Sequence, residues 1–225
     1  MKSLDSGQKP QSCFQDALKR GFDILLSGIG LIISAPIWLI VCLAIAVEDG
    51  LPVFFPQKRW GKGGGAFLAL KFRTMWKGSE KERSIQAGQD DPRITRVGRV
   101  LRACAMDELP QLWNIFKGDM SFVGPRALPI NEVQSSESEN DVPDSAIPGF
   151  HERLGVRPGL TGIAQIYADR DTTRARKFRY DLLYIRRHDF WLDLRLVILS
   201  FYISFLGRWE VRGSKFKQRQ SDCCH

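Results

Sequence analysis

From Ile24 to Val47 the chain carries no charge, and only Ser27, Gly28, Gly30, Ser34 and Pro36 interrupt an otherwise apolar run. At 24 residues the run has the length of a membrane helix. A cleavable leader would use Lys19 and Arg20 as its basic end, but the apolar part of such leaders is ordinarily ~7–15 residues. Pro36, near the middle, removes a backbone donor and clashes with the preceding turn, so the pattern predicts a kink or break there. Each half of about 12 residues rises roughly 18 Å, enough to enter one leaflet of a ~30 Å core and return. Two topologies stay open. A spanning helix puts everything after Glu48 on the far side; a re-entrant hairpin leaves both ends in the cytoplasm, with Ser34 available to bond a carbonyl near the break.

Downstream, apolar and aromatic runs at 53–60 and 66–74 flank Gly61-Lys62-Gly63-Gly64-Gly65 and predict a β-hairpin with a flexible tip. The glycines lack the spacing of a phosphate loop. Mixed apolar and basic patterns predict helices over 94–104, 109–116 and 172–187, the last with Phe178, Leu182 and Ile185 on one face. Residues 196–206 are apolar except for Ser200 and Ser204, too short to span. Bracketed by Arg186, Arg187 and Arg195 before and Arg208, Arg212, Lys215, Lys217 and Arg219 after, they read as a membrane-surface helix, with a core helix as the alternative. Glu132, Glu137, Glu139, Asp141 and Asp144 fall in a stretch without Lys or Arg that reads as a mobile loop. The organisation expected is an N-terminal segment with the membrane helix (1–48), a cytosolic domain with interfacial helices (49–206) and a basic tail (207–225) ending in Cys223-Cys224-His225.

Composition narrows this. With 225 residues and 44% hydrophobic content the chain can bury a core. A net charge of +8 asks for an anionic partner: phosphate, lipid headgroup or nucleic acid. Five cysteines without a C-x-x-C spacing argue against a disulfide framework and a structural zinc site, and fit a reducing, cytosol-facing location.

The chemistry concentrates in Asp91-Pro92-Arg93-Ile94-Thr95-Arg96-Val97-Gly98-Arg99-Val100-Leu101-Arg102, followed by Asp107-Glu108-Leu109-Pro110-Gln111. Four arginines are expected to converge on the acidic pair. Pro110 is tolerable only in a first helical turn, so a helix should begin close to Asp107 and set both carboxylates at its positive end. The plain alternative is capping, with Asp107 as N-cap and Glu108 as a first-turn acid. Lys71-Phe72-Arg73, Gly124-Pro125-Arg126 and Arg157-Pro158-Gly159 add basic side chains, the last two beside Gly and Pro, as bidentate phosphate binding requires. Adjacent carboxylates could hold Mg²⁺ between phosphate oxygens or attack phosphorus. A membrane segment with a diphosphate site suggests a lipid-linked phosphate transfer.

These motifs resemble, in order, those of the bacterial sugar transferases, the small monotopic polyprenyl-phosphate phosphoglycosyltransferases. Lys19-Arg20-Gly21-Phe22-Asp23, Gln57-Lys58-Arg59-Trp60-Gly61, Lys71-Phe72-Arg73-Thr74-Met75, Asp91-Pro92-Arg93-Ile94-Thr95, Asp107-Glu108-Leu109-Pro110-Gln111, Val123-Gly124-Pro125-Arg126 and Arg157-Pro158-Gly159-Leu160-Thr161-Gly162 carry the likeness across nearly the whole chain. The resemblance implies an α/β, monotopic membrane fold with an N-terminal re-entrant helix-break-helix at Ser34 and Pro36, a small β-hairpin and amphipathic surface helices, at the cytoplasmic face of the bacterial inner membrane. It implies transfer of a phosphosugar from a UDP-sugar to undecaprenyl phosphate, releasing UMP, at the first membrane step of glycoconjugate or exopolysaccharide synthesis. Asp107 would be the nucleophile of an aspartyl-phosphosugar intermediate, and Asp107 and Glu108 the Mg²⁺ site. Lys71, Arg73, Arg102, Gln111, Arg126, Arg157 and Asp181 would contact substrate. Membrane lipids are the other expected partner, a homodimer is allowed, and nucleic acid is not expected. Three positions depart from the family pattern: Ala35 stands where Ser usually precedes Pro36, Ala127 replaces Pro after Arg126, and Tyr167-Ala168-Asp169-Arg170 replaces an Asn-Gly-Arg-like turn. They put the helix break, the stiffness of the Arg126 loop and sugar selectivity in question. The competing classes are a catalytically inactive membrane scaffold and a basic, membrane-anchored nucleic-acid or lipid binder; the second predicts salt-sensitive binding that survives loss of Asp107.

Overall fold

The computed structural model describes residues 13–79, 91–130, 143–168 and 172–205. The tail, the acids of 131–142 and residues 169–171 therefore lie outside the described residues. The charge-free run forms most of α1 (Cys13–Asp49). It leads into an antiparallel hairpin, β1 (Phe54–Trp60) and β2 (Ala66–Phe72), as the alternating pattern predicts. Then come α2 (Arg96–Ala103), α3 (Gln111–Lys117), β3 (Ser121–Val123), α4 (Phe150–Leu154), β4 (Gly159–Thr161), α5 (Ile163–Tyr167), α6 (Arg174–Arg187) and α7 (Phe190–Phe205).

Two hydrophobic clusters organise these elements. The larger joins Ile115, Met120, Phe122, Val123, Ile166 and Tyr184 to the inner face of α7; the smaller joins Val41 and Ile45 of α1 to Phe72 and Leu101. Leu109, directly after the acidic pair, packs against both. The predicted helices and hairpin are present, but the parallel pair β3–β4, in register Ser121 with Gly159 and Val123 with Thr161, was not foreseen. Its strands are three residues each, and their close approach depends on Gly159 in β4 and Gly124 just after β3: a Cβ on Gly159 would lie 2.7 Å from the Gly124 Cα. Helix α7 is two-faced. It buries Leu196, Val197 and Ile203 and exposes Trp191, Ile198, Phe201 and Tyr202, so the surface-helix and core-helix readings each describe one side.

Helix α1 corrects one expectation. Helical geometry continues through Pro36, with no non-helical residue to mark a break. Proline costs the bond its missing N–H would make to the Ile32 carbonyl, but packing holds the flanks in place. Ser34 is buried, and Trp38 lies edge-on to Phe72 at 5.6 Å between ring centroids. The Ser34 hydroxyl donates to Leu31, 3.4 Å away, and not to the freed Ile32 carbonyl. Asp23, Ser27, Ser34, Val41 and Ile45 form a single buried stripe at spacings of four and seven, while Leu25, Ile32, Ile33, Leu39, Ile40 and Val47 are exposed.

Both ends of α1 dock on the same body. At the start, Lys19 pairs with Asp193 of α7 and donates to the Val123 carbonyl at 3.1 Å, and Arg20 donates to the carbonyls of Ile115 and Phe116 at 2.7 Å each. Asp23 accepts from the Phe122 N–H at 3.0 Å and the Ser121 hydroxyl at 3.1 Å. At the far end Glu48 accepts from the N–H groups of Arg96 and Val97 at 2.7 and 3.0 Å, and Asp49 pairs with Arg73 at 3.0 Å.

Candidate active site

Thr95 caps α2, its hydroxyl oxygen accepting from the Gly98 N–H at 2.8 Å, and the helix gives way at Cys104. Ala105 then adopts a left-handed φ of 53°, the only non-glycine residue among those described with positive φ. This conformation costs a residue with a Cβ roughly 1–2 kcal/mol and reverses the chain at the threshold of the acidic pair. Asp107 and Glu108 follow in their own 3₁₀ turn, Met106–Glu108, ahead of Pro110 and α3. They are not in the first turn of α3, as the position of Pro110 suggested, and neither helical start carries a side-chain cap. The capping alternative is thereby excluded.

Glu108 is the hub. Its Oε1 accepts from Lys71 Nζ on β2 at 2.7 Å and from Arg126 Nη2, after β3, at 3.3 Å. Burial works against its charge, yet Lys71 and Arg126 outweigh it and hold the carboxyl well below the usual range. Asp107, half-buried, accepts no hydrogen bond among the described residues; burial raises its pKa, with the Glu108 charge adding to the rise and Lys71, Arg102 and Arg126 opposing it. Neighbouring carboxylates thus differ: one committed to cations, the other without a partner. Gln111, immediately after Pro110, is buried, and its Nε2 has no partner among the described residues, an unmet donor at the edge of the pair.

Residues that the sequence reading missed hold this arrangement. Asn114 of α3 acts as a surrogate strand, accepting from the Leu70 N–H at 2.9 Å and donating to the Leu68 carbonyl at 2.7 Å, so the Lys71 strand is locked to the helix that follows Glu108. Three successive carbonyls behind Arg126 are each captured: Arg126 by Arg153 Nη2 at 2.8 Å, Ala127 by Arg59 Nη1 at 2.7 Å, and Leu128 by the Trp60 N–H at 2.9 Å. The loop in which Ala127 replaces Pro is therefore held by side chains on neighbouring elements. A buried Asn or Arg inside an apolar pattern was the available signal; its partner was not readable.

The other predicted residues are placed as follows. Arg102 donates to the Thr74 hydroxyl at 2.9 Å and bears electrostatically on Asp107. Of the four arginines expected to converge, Arg93 is clamped on Asp91, whose carboxyl it pulls down to about 2, and Arg96 and Arg99 are exposed. Arg73 is buried against the end of α1, donating to the Asp49 and Gly50 carbonyls at 2.9 and 2.8 Å. Arg157 donates to the Gly118 carbonyl at 3.0 Å, at the opposite end of α3 from the dyad. Asp181 is buried on Arg153 at 2.8 Å, and its carboxyl is pushed up to about 6 by burial against that arginine's pull.

A model of the family described as bacterial sugar transferase matches residues 14–207. The chain belongs to that family. A UDP-glucose:undecaprenyl-phosphate glucose-1-phosphate transferase of Klebsiella pneumoniae is 38% identical over 195 residues, which cover 84% of this chain and 40% of that protein. A UDP-N-acetylgalactosamine-undecaprenyl-phosphate N-acetylgalactosaminephosphotransferase of Aeromonas hydrophila is 40% identical, over 80% of this chain and 42% of its own length. The exopolysaccharide production protein ExoY of Rhizobium meliloti is 37% identical, over 84% of this chain and 86% of its own. This sugar transferase therefore spans less than half the length of the first two and most of the third.

Proposed function

We propose that this sugar transferase moves a phosphosugar from a UDP-sugar to undecaprenyl phosphate, releasing UMP, in exopolysaccharide or related glycoconjugate synthesis. The observation that carries the reading is the split dyad: Glu108 paired through Oε1 with Lys71 and Arg126, and Asp107 beside it with no hydrogen-bond partner among the described residues. Asp107 attacks the sugar-bearing phosphorus; the bond to the uridylate oxygen breaks, and UMP leaves with the electron pair. An oxygen of undecaprenyl phosphate then attacks the aspartyl-linked phosphorus and returns the carboxylate. Lys71, Arg102 and Arg126 offset the diphosphate charge and stabilise the leaving phosphate. Asp107 and Glu108 would hold Mg²⁺ through the Asp107 carboxylate and Glu108 Oε2, which accept no hydrogen bond among the described residues; Mg²⁺ commonly takes one or two carboxylates and completes its shell with phosphate oxygens and water. When bound it neutralises diphosphate charge. The relatives of nearly equal identity are named for glucose and for N-acetylgalactosamine, so identity alone does not select the sugar.

The same reading takes α1 as a re-entrant element that bends at Pro36 without leaving helical geometry, entering one leaflet and returning on the cytoplasmic side of the inner membrane. Support comes from the docking of both its ends on one body and from the exposed apolar face between them, next to the stacked, exposed Trp113 and Phe116. The test is UMP release by nanodisc-held protein from a panel of UDP-sugars, with and without undecaprenyl phosphate and Mg²⁺. Without acceptor, a donor labelled at the sugar phosphate should leave label on the protein, lost in Asp107→Asn. Transfer with no trapped label at any time would replace the covalent step by direct displacement.

A further inference from the structure

We propose that Arg153 and Asp181 form a positioning pair for Arg126, setting the guanidinium that meets Glu108 without touching substrate themselves. Both are buried, at 6% and 3% exposure, on α4 and α6. Nε of Arg153 donates to Asp181 at 2.8 Å and Nη2 donates to the Arg126 carbonyl at 2.8 Å, while the guanidinium lies over the Phe178 ring, 4.1 Å from its centroid. The fork is thus fixed on three sides: carboxylate, carbonyl and ring. What it fixes is the backbone of a residue whose side chain is half-exposed and reaches Glu108 at 3.3 Å. Arg126 otherwise has the freedom of any long surface side chain, so the accuracy of its contact depends on where its main chain starts. A buried ion pair contributes little net stability compared with an apolar pair of the same volume, and fixing one geometry is the better-attested use of one. Lysine cannot replace this arginine: a single ammonium on a flexible stem offers no planar fork to span a carboxylate and a carbonyl together.

The inference rests on the reading of Arg126 as part of a diphosphate site, and a double-mutant cycle on kcat/KM for the UDP-sugar tests it. Arg153→Lys should lower kcat/KM roughly 10- to 100-fold, the scale of a sub-ångström to 1 Å misplacement, while circular dichroism and melting stay close to wild type. In an Arg126→Ala background the same change should cost less than twofold, because the group it positions is gone. Asp181→Asn, which keeps a hydrogen-bond acceptor, should retain more activity than Asp181→Leu. Losses that multiply across the two backgrounds, or wild-type kcat/KM in a folded Arg153→Lys protein, would overturn the proposal. If the wild-type protein turned over no donor, the transferase reading would fail on its own. The cycle would then be read on binding of inorganic pyrophosphate by calorimetry, where additive losses would again refute the pair's role.

Discussion

Gly98 offers a case in which two effects of known sign oppose each other and the structure decides between them. It lies within α2, where glycine is worse than alanine by roughly 0.8–1 kcal/mol, so Gly98→Ala should stabilise on propensity alone. But α2 crosses the end of the hairpin at Gly98: a Cβ there would sit 2.7 Å from both the Cα and the carbonyl carbon of Thr74, with the carbonyl oxygen nearer still. Those atoms are backbone and cannot rotate away. They are also tied, since the Thr74 carbonyl accepts from the Thr95 N–H at 3.1 Å. Overpacking costs about 1–3 kcal/mol, and a backbone obstacle puts this site at the upper end. Subtracting the propensity gain leaves about 2 kcal/mol of destabilisation, which for a chain of this size is a fall in Tm of roughly 4–8 °C. The functional effect follows from geometry, because α2 also carries Arg102, whose bond to the Thr74 hydroxyl would lengthen as the helix is pushed off. Melting of the protein in a fixed detergent is the assay, with Gly21→Ala as control. Gly21 is helical with nothing within 4 Å of its Cβ position, so there propensity acts alone and Tm should rise by roughly 2–4 °C. A Tm for Gly98→Ala equal to or above wild type, with unchanged UMP release, would refute the reasoning.

Burial raises the pKa of Asp107, and in the proposed reaction its ionised form is the nucleophile, so activity should fall as pH drops through that raised value; Lys71→Met, removing the largest opposing charge, should move this acidic limb to higher pH in a pH–rate profile of UMP release. No upward movement would remove Lys71 from the electrostatics of Asp107. Ala105→Gly should relieve the left-handed strain, the relief of about 1–2 kcal/mol exceeding the roughly 0.5–1 kcal/mol entropic cost of glycine, and thermal melting should show a higher Tm. Asn114→Leu leaves the Leu70 N–H and Leu68 carbonyl without partners, at about 1–3 kcal/mol each, so Tm should drop and kcat/KM should fall with it as Lys71 loses its register to Glu108. An Asn114→Leu protein with lower Tm but full kcat/KM would confine Asn114 to stability.

Local patterns were legible where a period of two or 3.6 residues was enough: the hairpin, α2, α3 and α6 follow from spacing, whereas α1 extends eleven residues before the charge-free run. Asp107 and Glu108 stood out before Pro110 amid arginines, but the residues alone left capping open beside phosphate chemistry, and the family motifs supplied the choice. What could not be read was which charge meets which. Lys71 finds Glu108 and Arg73 finds Asp49, although they lie two residues apart in one basic motif: β2 ends at Phe72, and Arg73 beyond it turns to the carboxylate and carbonyls at the end of α1. The strands β3 and β4 sit in segments that read as Gly- and Pro-rich turns, and their pairing is a long-range contact with no periodic trace. At Pro36 the pattern asked for a kink or break, and helical geometry runs through the proline without a non-helical residue.

The docking of α1 at both ends has a consequence for what the bilayer does. Asp49, its last residue, grips Arg73; Arg73 adjoins Thr74; and Thr74 holds Arg102, which bears on Asp107. With α1 placed in the bilayer as proposed, its tilt or depth and the position of Arg102 beside Asp107 become linked mechanical variables. On that proposal, acyl-chain length and lateral pressure should change turnover as temperature or a point mutation would, by deforming the frame in which the charges are held.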